Sequence, residues 1–148
     1  MDKHLFLSQL ESLIKDETNK IANLANASAF FNQILDQINW VGFYLMDNGE
    51  LILGPFQGKV ACVHIPVGKG VCGTSVKERK TMLVKNVHEF PGHIACDGAS
   101  NSEIVVPIFK DNEVVGVLDI DSPVFERFDE QDQDFLEEAV KLLEKYVF

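Results

Sequence analysis

The chain has 148 residues, 46% hydrophobic and 24% charged, which is enough apolar material for one buried core and too much for a disordered chain. Its formal net charge of -10 at pH 7 opposes attraction to phosphate backbones and anionic lipid surfaces, so neither nucleic acid nor a membrane is expected as a partner. No stretch approaches the roughly 20 apolar residues that span a bilayer, and residues 1–20 lack the apolar run and small-residue cleavage site of an export signal, which predicts a soluble, cytoplasmic protein.

Leu10, Leu13 and Ile14 recur at helical spacing, as do Ile21, Leu24, Phe31, Ile34 and Leu35, so two amphipathic helices are expected to open the fold. Residues 40–46 are aromatic and apolar. With the turn-forming Asp47-Asn48-Gly49 and the strand-like residues 51–57, they predict a hairpin. Residues 60–65 read as a third strand, after which Pro66, Gly68 and Gly70 mark a turn before a short helix over 71–80 and a brief strand over 81–84. Residues 86–102, NVHEFPGHIACDGASNS, have little periodicity and predict a long loop of the kind that serves as a lid or binding loop. Apolar runs at 104–109 and 114–120 flank Lys110-Asp111-Asn112-Glu113 and predict a second hairpin. Phe135, Leu136, Ala139, Val140, Leu143, Tyr146 and Val147 form the apolar stripe of a closing helix, with Asp129 and Asp132 complementing the dipole at its start.

This order predicts one α+β domain over residues 1–148: an antiparallel sheet with helices packed on one face and a ligand pocket under the long loop on the other. Side chains alternate across a strand, so Trp40 and Tyr44 face one way, as a pocket wall, and Val41, Phe43 and Leu45 the other. Asp119 and Asp121 share a face at the end of an apolar strand, and Glu103 enters the preceding apolar strand in the same way. Carboxylates placed there need partners. Three of them suit an ammonium group, and a raised pKa at one supplies a proton donor. The same alternation puts Cys62 and His64 on the pocket side and Ala61, Val63 and Ile65 toward the core.

Three cysteines, an odd number in a chain expected to stay in the cytoplasm, read as reduced thiols rather than a structural disulfide framework. Cys72 lies near a predicted helix start, where the dipole favours a thiolate, and Cys96 lies in the long loop, where exposure favours reactivity. Cys62, Cys72, Cys96 and one of His64, His88 or His93 have the ligand types of a zinc site. However, the spacings of 10 (72 less 62) and 24 (96 less 72) lack the close pairs of zinc motifs. One thiol acting with another as resolver fits the same residues better, and no metal or bound cofactor is expected.

The runs NWVGFYL (39–45), LGPFQGKVACVHIPVGKGVCGTSV (53–76), FPGHIACDGASNSEIVVPI (90–108) and GVLDIDSP (116–123) resemble the free methionine-(R)-sulfoxide reductases, single-domain enzymes of the GAF fold. The resemblance is dense over about residues 38–130, loose in the flanking helices, and includes all three cysteine positions. It implies that Cys96 is the catalytic thiol and that Cys62 or Cys72 resolves it in a redox-active disulfide. It implies that Trp40 and Tyr44 shape the methyl-sulfoxide pocket, and that Glu103, Asp119 and Asp121 bind the substrate and assist protonation. The implied reaction is reduction of free L-methionine-(R)-sulfoxide to methionine through a sulfenic acid, recycled by thioredoxin without a bound cofactor. The main rival is a GAF sensor that binds a small ligand without turnover, since that fold also serves sensors. A partner-binding domain with inert thiols is the other. The oligomeric state is open, and a homodimer is compatible with the sequence.

Overall fold

Two tight turns set the spacing of the sheet in the computed structural model, which describes residues 1–92 and 98–148. Asn48 and Gly49 have φ of 50° and 82°, and Asp111 and Asn112 have φ of 51° and 65°. Two successive positive φ values match the twist of the strands they join, and Asn, Asp and Gly adopt them most readily. The first turn joins β1 (Trp40–Asp47) to β2 (Glu50–Gly58), and the second joins β5 (Ser102–Lys110) to β6 (Glu113–Ser122). With β3 (His64–Pro66) and β4 (Met82–Val84), these strands form a six-stranded antiparallel sheet in the order β3-β2-β1-β6-β5-β4.

The helices begin where side chains satisfy free backbone N–H groups. Asp2 accepts from the Leu5 amide at 3.0 Å ahead of α1 (Lys3–Ile14), and Asn19 accepts from the Ala22 amide at 2.9 Å ahead of α2 (Lys20–Ile34). Asp129 and Asp132 form a reciprocal capping box at the start of α4 (Glu130–Tyr146), at 2.9 and 3.0 Å. The acids expected only to complement a dipole thus also make hydrogen bonds.

Side-chain alternation divides the apolar residues between two layers. Val41 and Phe43 of β1, Ile104, Val106 and Ile108 of β5, and Leu118 and Ile120 of β6 pack against α1, α2 and α4 through Leu10, Ile14, Leu24, Phe31, Phe135 and Leu136. Leu51, Ile65, Val105 and Val117 lie in the second cluster, on the opposite side of the sheet, with Trp40 and Tyr44. The remaining helix, α3 (Gly70–Glu78), covers part of that second face through Val71, Cys72 and Val76. The helices are therefore not all on one side. An apolar sheet face of this size needs cover, and the positive φ of Gly68 (86°) and Gly70 (63°) turns the chain back over it.

The predicted third strand is shorter than expected, because only His64–Pro66 pairs with β2. Leu13 and Ile21, placed on apolar stripes by spacing alone, are 38% and 71% exposed. Among the described residues no helix is long and apolar enough to cross a membrane.

Phe31 is fully buried between helices and sheet, so Phe31→Ala should lower the unfolding free energy in urea by about 3–5 kcal/mol. Hydrogen bonding from the Asp132 backbone N–H holds the Asp129 carboxyl below the usual carboxylate range. A depressed folded-state pKa adds stability above the ordinary value that is lost as pH falls through the lowered one. Protection of the Asp132 amide, measured against the intrinsic exchange rate at each pH, should therefore fall on acidification through that window, and Asp129→Ala should show the lowered protection already at neutral pH.

Candidate active site

Strand register assembles the site from residues distant in sequence. Trp40 pairs with Asp121 and Asp121 with Glu103, forming one row across β1, β6 and β5. In the next pocket-side row Gly42 pairs with Asp119 and Asp119 with Val105, and beyond it Tyr44 pairs with Val117. Directly opposed residues have neighbouring side chains on the same face. The three acids therefore meet on the face away from α1, α2 and α4, beside the two aromatic rings, and all five line one cavity together with Cys72.

The aromatic wall is a stack of three rings. Trp40 lies 5.9 Å from Tyr44 at 24° and 5.1 Å from Phe56 at 15° between ring planes. Gly42 makes the stack fit, because a Cβ there would run into the backbone and Cβ of Phe56. The polar ends of the rings reach the segment between β2 and β3: Trp40 Nε1 donates to the Lys59 carbonyl at 3.1 Å, and Tyr44 Oη donates to the Cys62 carbonyl at 2.9 Å. Trp40 and Tyr44 thus both wall the pocket and hold the segment that carries Cys62.

The acids and the neighbouring thiol are almost dry: Glu103 is 7% exposed, Asp119 5% and Cys72 4%. Burial pushes the Glu103 carboxyl well above the usual carboxylate range, and the nearby charges of Asp119 and Asp121 push it further. Burial also raises Asp119, but hydrogen bonds from Glu103 and Cys72 partly offset the effect. The pair therefore holds on to a proton between Glu103 and Asp119. Among the described residues Asp119 Oδ1 has no hydrogen-bond partner, and Asp119 lines the cavity. Burial raises the Tyr44 hydroxyl too, which keeps it a neutral donor.

The thiols differ from their expected settings. Cys72 is a free buried thiol near the start of α3, where a helix dipole favours the thiolate. Burial and the charges of Asp119, Glu103 and Asp121 outweigh the dipole and raise its pKa well above the usual thiol value. Cys62 is half-buried and disulfide-bonded. It does not line the cavity, and His64 is exposed, bonded to Glu50 at 2.7 Å. Instead Ala61 and Ile65, expected to face the core, line the cavity, and Val63 is 51% exposed. Alternation holds across His64 and Ile65 but with the opposite face inward, because Ile65 pairs with Leu51 of the pocket-side cluster, whereas residues 59–63 lie outside the paired strands. Cys96 and His93 lie outside the described residues.

Ser100 and Lys69 also contribute to the lining and were not foreseen. Ser100 Oγ accepts from Asn39 Nδ2 at 3.2 Å. The PVGKGVCG turn containing Lys69 signalled a helix start but not which way that residue faces.

The GAF domain family matches residues 25–144. The free methionine-R-sulfoxide reductase of Escherichia coli (strain K12) is 52% identical over 149 residues, covering 98% of this chain and 90% of that protein. The free methionine-R-sulfoxide reductase of Saccharomyces cerevisiae is 46% identical over 157 residues, covering 98% of this chain and 87% of that protein. The structure of fRMsr of Staphylococcus aureus in complex with substrate is 60% identical, with a TM-score of 0.95, and covers 99% of this chain and 96% of that one.

The single tryptophan makes the ring stack measurable. Gly42→Ala should displace Phe56, lower stability by about 1–3 kcal/mol and red-shift Trp40 emission, read by thermal unfolding and fluorescence. An unchanged spectrum and melting temperature would mean that the stack tolerates a methyl group there.

Proposed function

This chain belongs to the free methionine-R-sulfoxide reductase family of GAF domains, and on that premise we propose that it reduces free L-methionine-(R)-sulfoxide to L-methionine. The observation that carries this reading is the open Asp119 Oδ1 among three clustered acids beside a stacked aromatic wall. A buried anionic acceptor suits an ammonium group, and aromatic faces suit a methyl-sulfoxide end. The whole chain, residues 1–148, is taken as the catalytic unit.

In this mechanism Asp119 and Asp121 hold the substrate ammonium while Trp40 and Tyr44 enclose the sulfoxide end. The Cys96 thiolate attacks the sulfoxide sulfur, and Glu103, kept protonated by burial and by its acidic neighbours, protonates the oxygen. The oxygen passes to Cys96 as a sulfenic acid, and methionine leaves. A second thiol then condenses with the sulfenic acid, releasing water and forming a disulfide. The disulfide state of Cys62 and the buried, proton-retaining thiol of Cys72 support Cys62 as that resolver. A cytoplasmic thioredoxin dithiol reduces the disulfide and returns both thiols.

Incubation of the reduced protein with each epimer of free methionine sulfoxide should yield methionine from the R epimer only, with loss of thiols. Cys96→Ser should yield none, and release of methionine by that variant would overturn the assignment. Losing one charge-assisted hydrogen bond of about 1.5–3 kcal/mol, Asp119→Asn should raise KM by roughly tenfold to a hundredfold. A peptide-linked residue has no free ammonium group, so comparable turnover of peptide-bound sulfoxide would contradict the acid-ammonium contact.

A further inference from the structure

The floor of the pocket contains more ligand chemistry than an ammonium group needs. Cys72 supplies a sulfur, and Glu103 and Asp119 supply carboxylate oxygens, with one atom from each lying within 4.8 Å of the others. All three side chains are more than nine-tenths buried, and among the described residues Oδ1 of the cavity-lining Asp119 has no partner. The residues sit on the adjacent strands β5 and β6 and on the first turn of α3, which packs against both strands. Their mutual placement is therefore set by the scaffold rather than by a loop.

We propose that Cys72, Glu103 and Asp119 form a three-ligand site for Zn²⁺ in the floor of the pocket, and that an ion bound there excludes the sulfoxide substrate. One sulfur with two carboxylates suits a borderline-soft ion that accepts few ligands, whereas Mg²⁺ and Ca²⁺ favour six or more oxygens. Ligands of tetrahedral Zn²⁺ on bonds of about 2.0–2.3 Å lie less than about 4 Å apart, so the cluster has to contract by about 1 Å at its widest. Coordination forms one sulfur-zinc and two oxygen-zinc bonds and releases two protons to solvent, the one on Cys72 and the one held between Glu103 and Asp119. The dication also offsets the mutual repulsion of the buried carboxylates, so the cost of keeping them together favours binding. The fourth position faces the cavity, where the substrate ammonium would otherwise lie against Asp119. The exclusion of substrate thus rests on the function proposed above, while the metal site stands on its own geometry.

Replacing Cys62 and Cys96 with serine leaves Cys72 as the one thiol of the full chain and prevents turnover. That protein should bind one equivalent of Zn²⁺ by competition with a chromogenic chelator, and Co²⁺ in its place should give a sulfur-to-metal charge-transfer band without any change to the pocket. Millimolar Mg²⁺ should not displace either ion. In the same background Cys72→Ser or Glu103→Gln should weaken Zn²⁺ binding at least tenfold, with circular dichroism reporting that each variant is folded. Absence of a stoichiometric site, absence of the charge-transfer band, or affinity unchanged by Cys72→Ser in a folded protein would overturn the proposal. Free methionine-(R)-sulfoxide should raise the apparent Kd for Zn²⁺ in proportion to its concentration. A Cys72-dependent site indifferent to the sulfoxide would leave the metal site standing and overturn the shared pocket.

Discussion

Placing like-charged carboxylates together in a nearly dry space is the constraint on which the pocket depends. Each ionised acid loses water, and each destabilises its neighbours in a medium of low dielectric constant. The arrangement persists because Glu103 and Asp119 share a proton, and Cys72 adds a second hydrogen bond to Asp119. A cavity built this way is preloaded for a cation, since a positively charged occupant relieves repulsion that the empty pocket retains. The strands hold the acids close together, so their separation relaxes less than it would on a loop.

The sheet separates this strained chemistry from the elements that stabilise the fold. Its other face packs against α1, α2 and α4 in a continuous apolar cluster, which can hold the domain together at little cost to the active face. The pocket face is covered only in part, by α3. The unpaired segment at 59–63 borders the cavity and is tied down by the polar ends of Trp40 and Tyr44. Those hydrogen bonds link the ring wall to the backbone of Cys62, so the aromatic residues hold that segment in place as well as shaping the pocket.

Much of this was legible in the amino-acid order because strand periodicity is local. Trp40 and Tyr44 are four residues apart and Asp119 and Asp121 two, so each pair shares a face wherever the strand lies. The two positive-φ turns, the capping acids of α4 and the isolated acid Glu103 just before the apolar run 104–109 are equally local signals. Cys62 and His64 were misplaced by the same reasoning: Cys62 lies in the unpaired segment 59–63, where no ladder enforces alternation, and His64 alternates within β3 but on the face away from the pocket, a phase set only by its pairing with β2. The side of the sheet taken by α3 was also hidden, since a short helix carries no record of which apolar face lacks cover.

The sequence by itself determined the strand and helix segments, the pairing of side chains within each strand and the set of acids, rings and thiols available for chemistry. Tertiary structure decided which of them meet: the β1-β6-β5 register aligned Trp40, Asp121 and Glu103, and α3 brought Cys72 down onto Asp119. It also reversed the chemistry expected of Cys72, because desolvation and neighbouring charge depend on what surrounds a group in space, whereas a helix-start signal reports only what lies beside it along the chain.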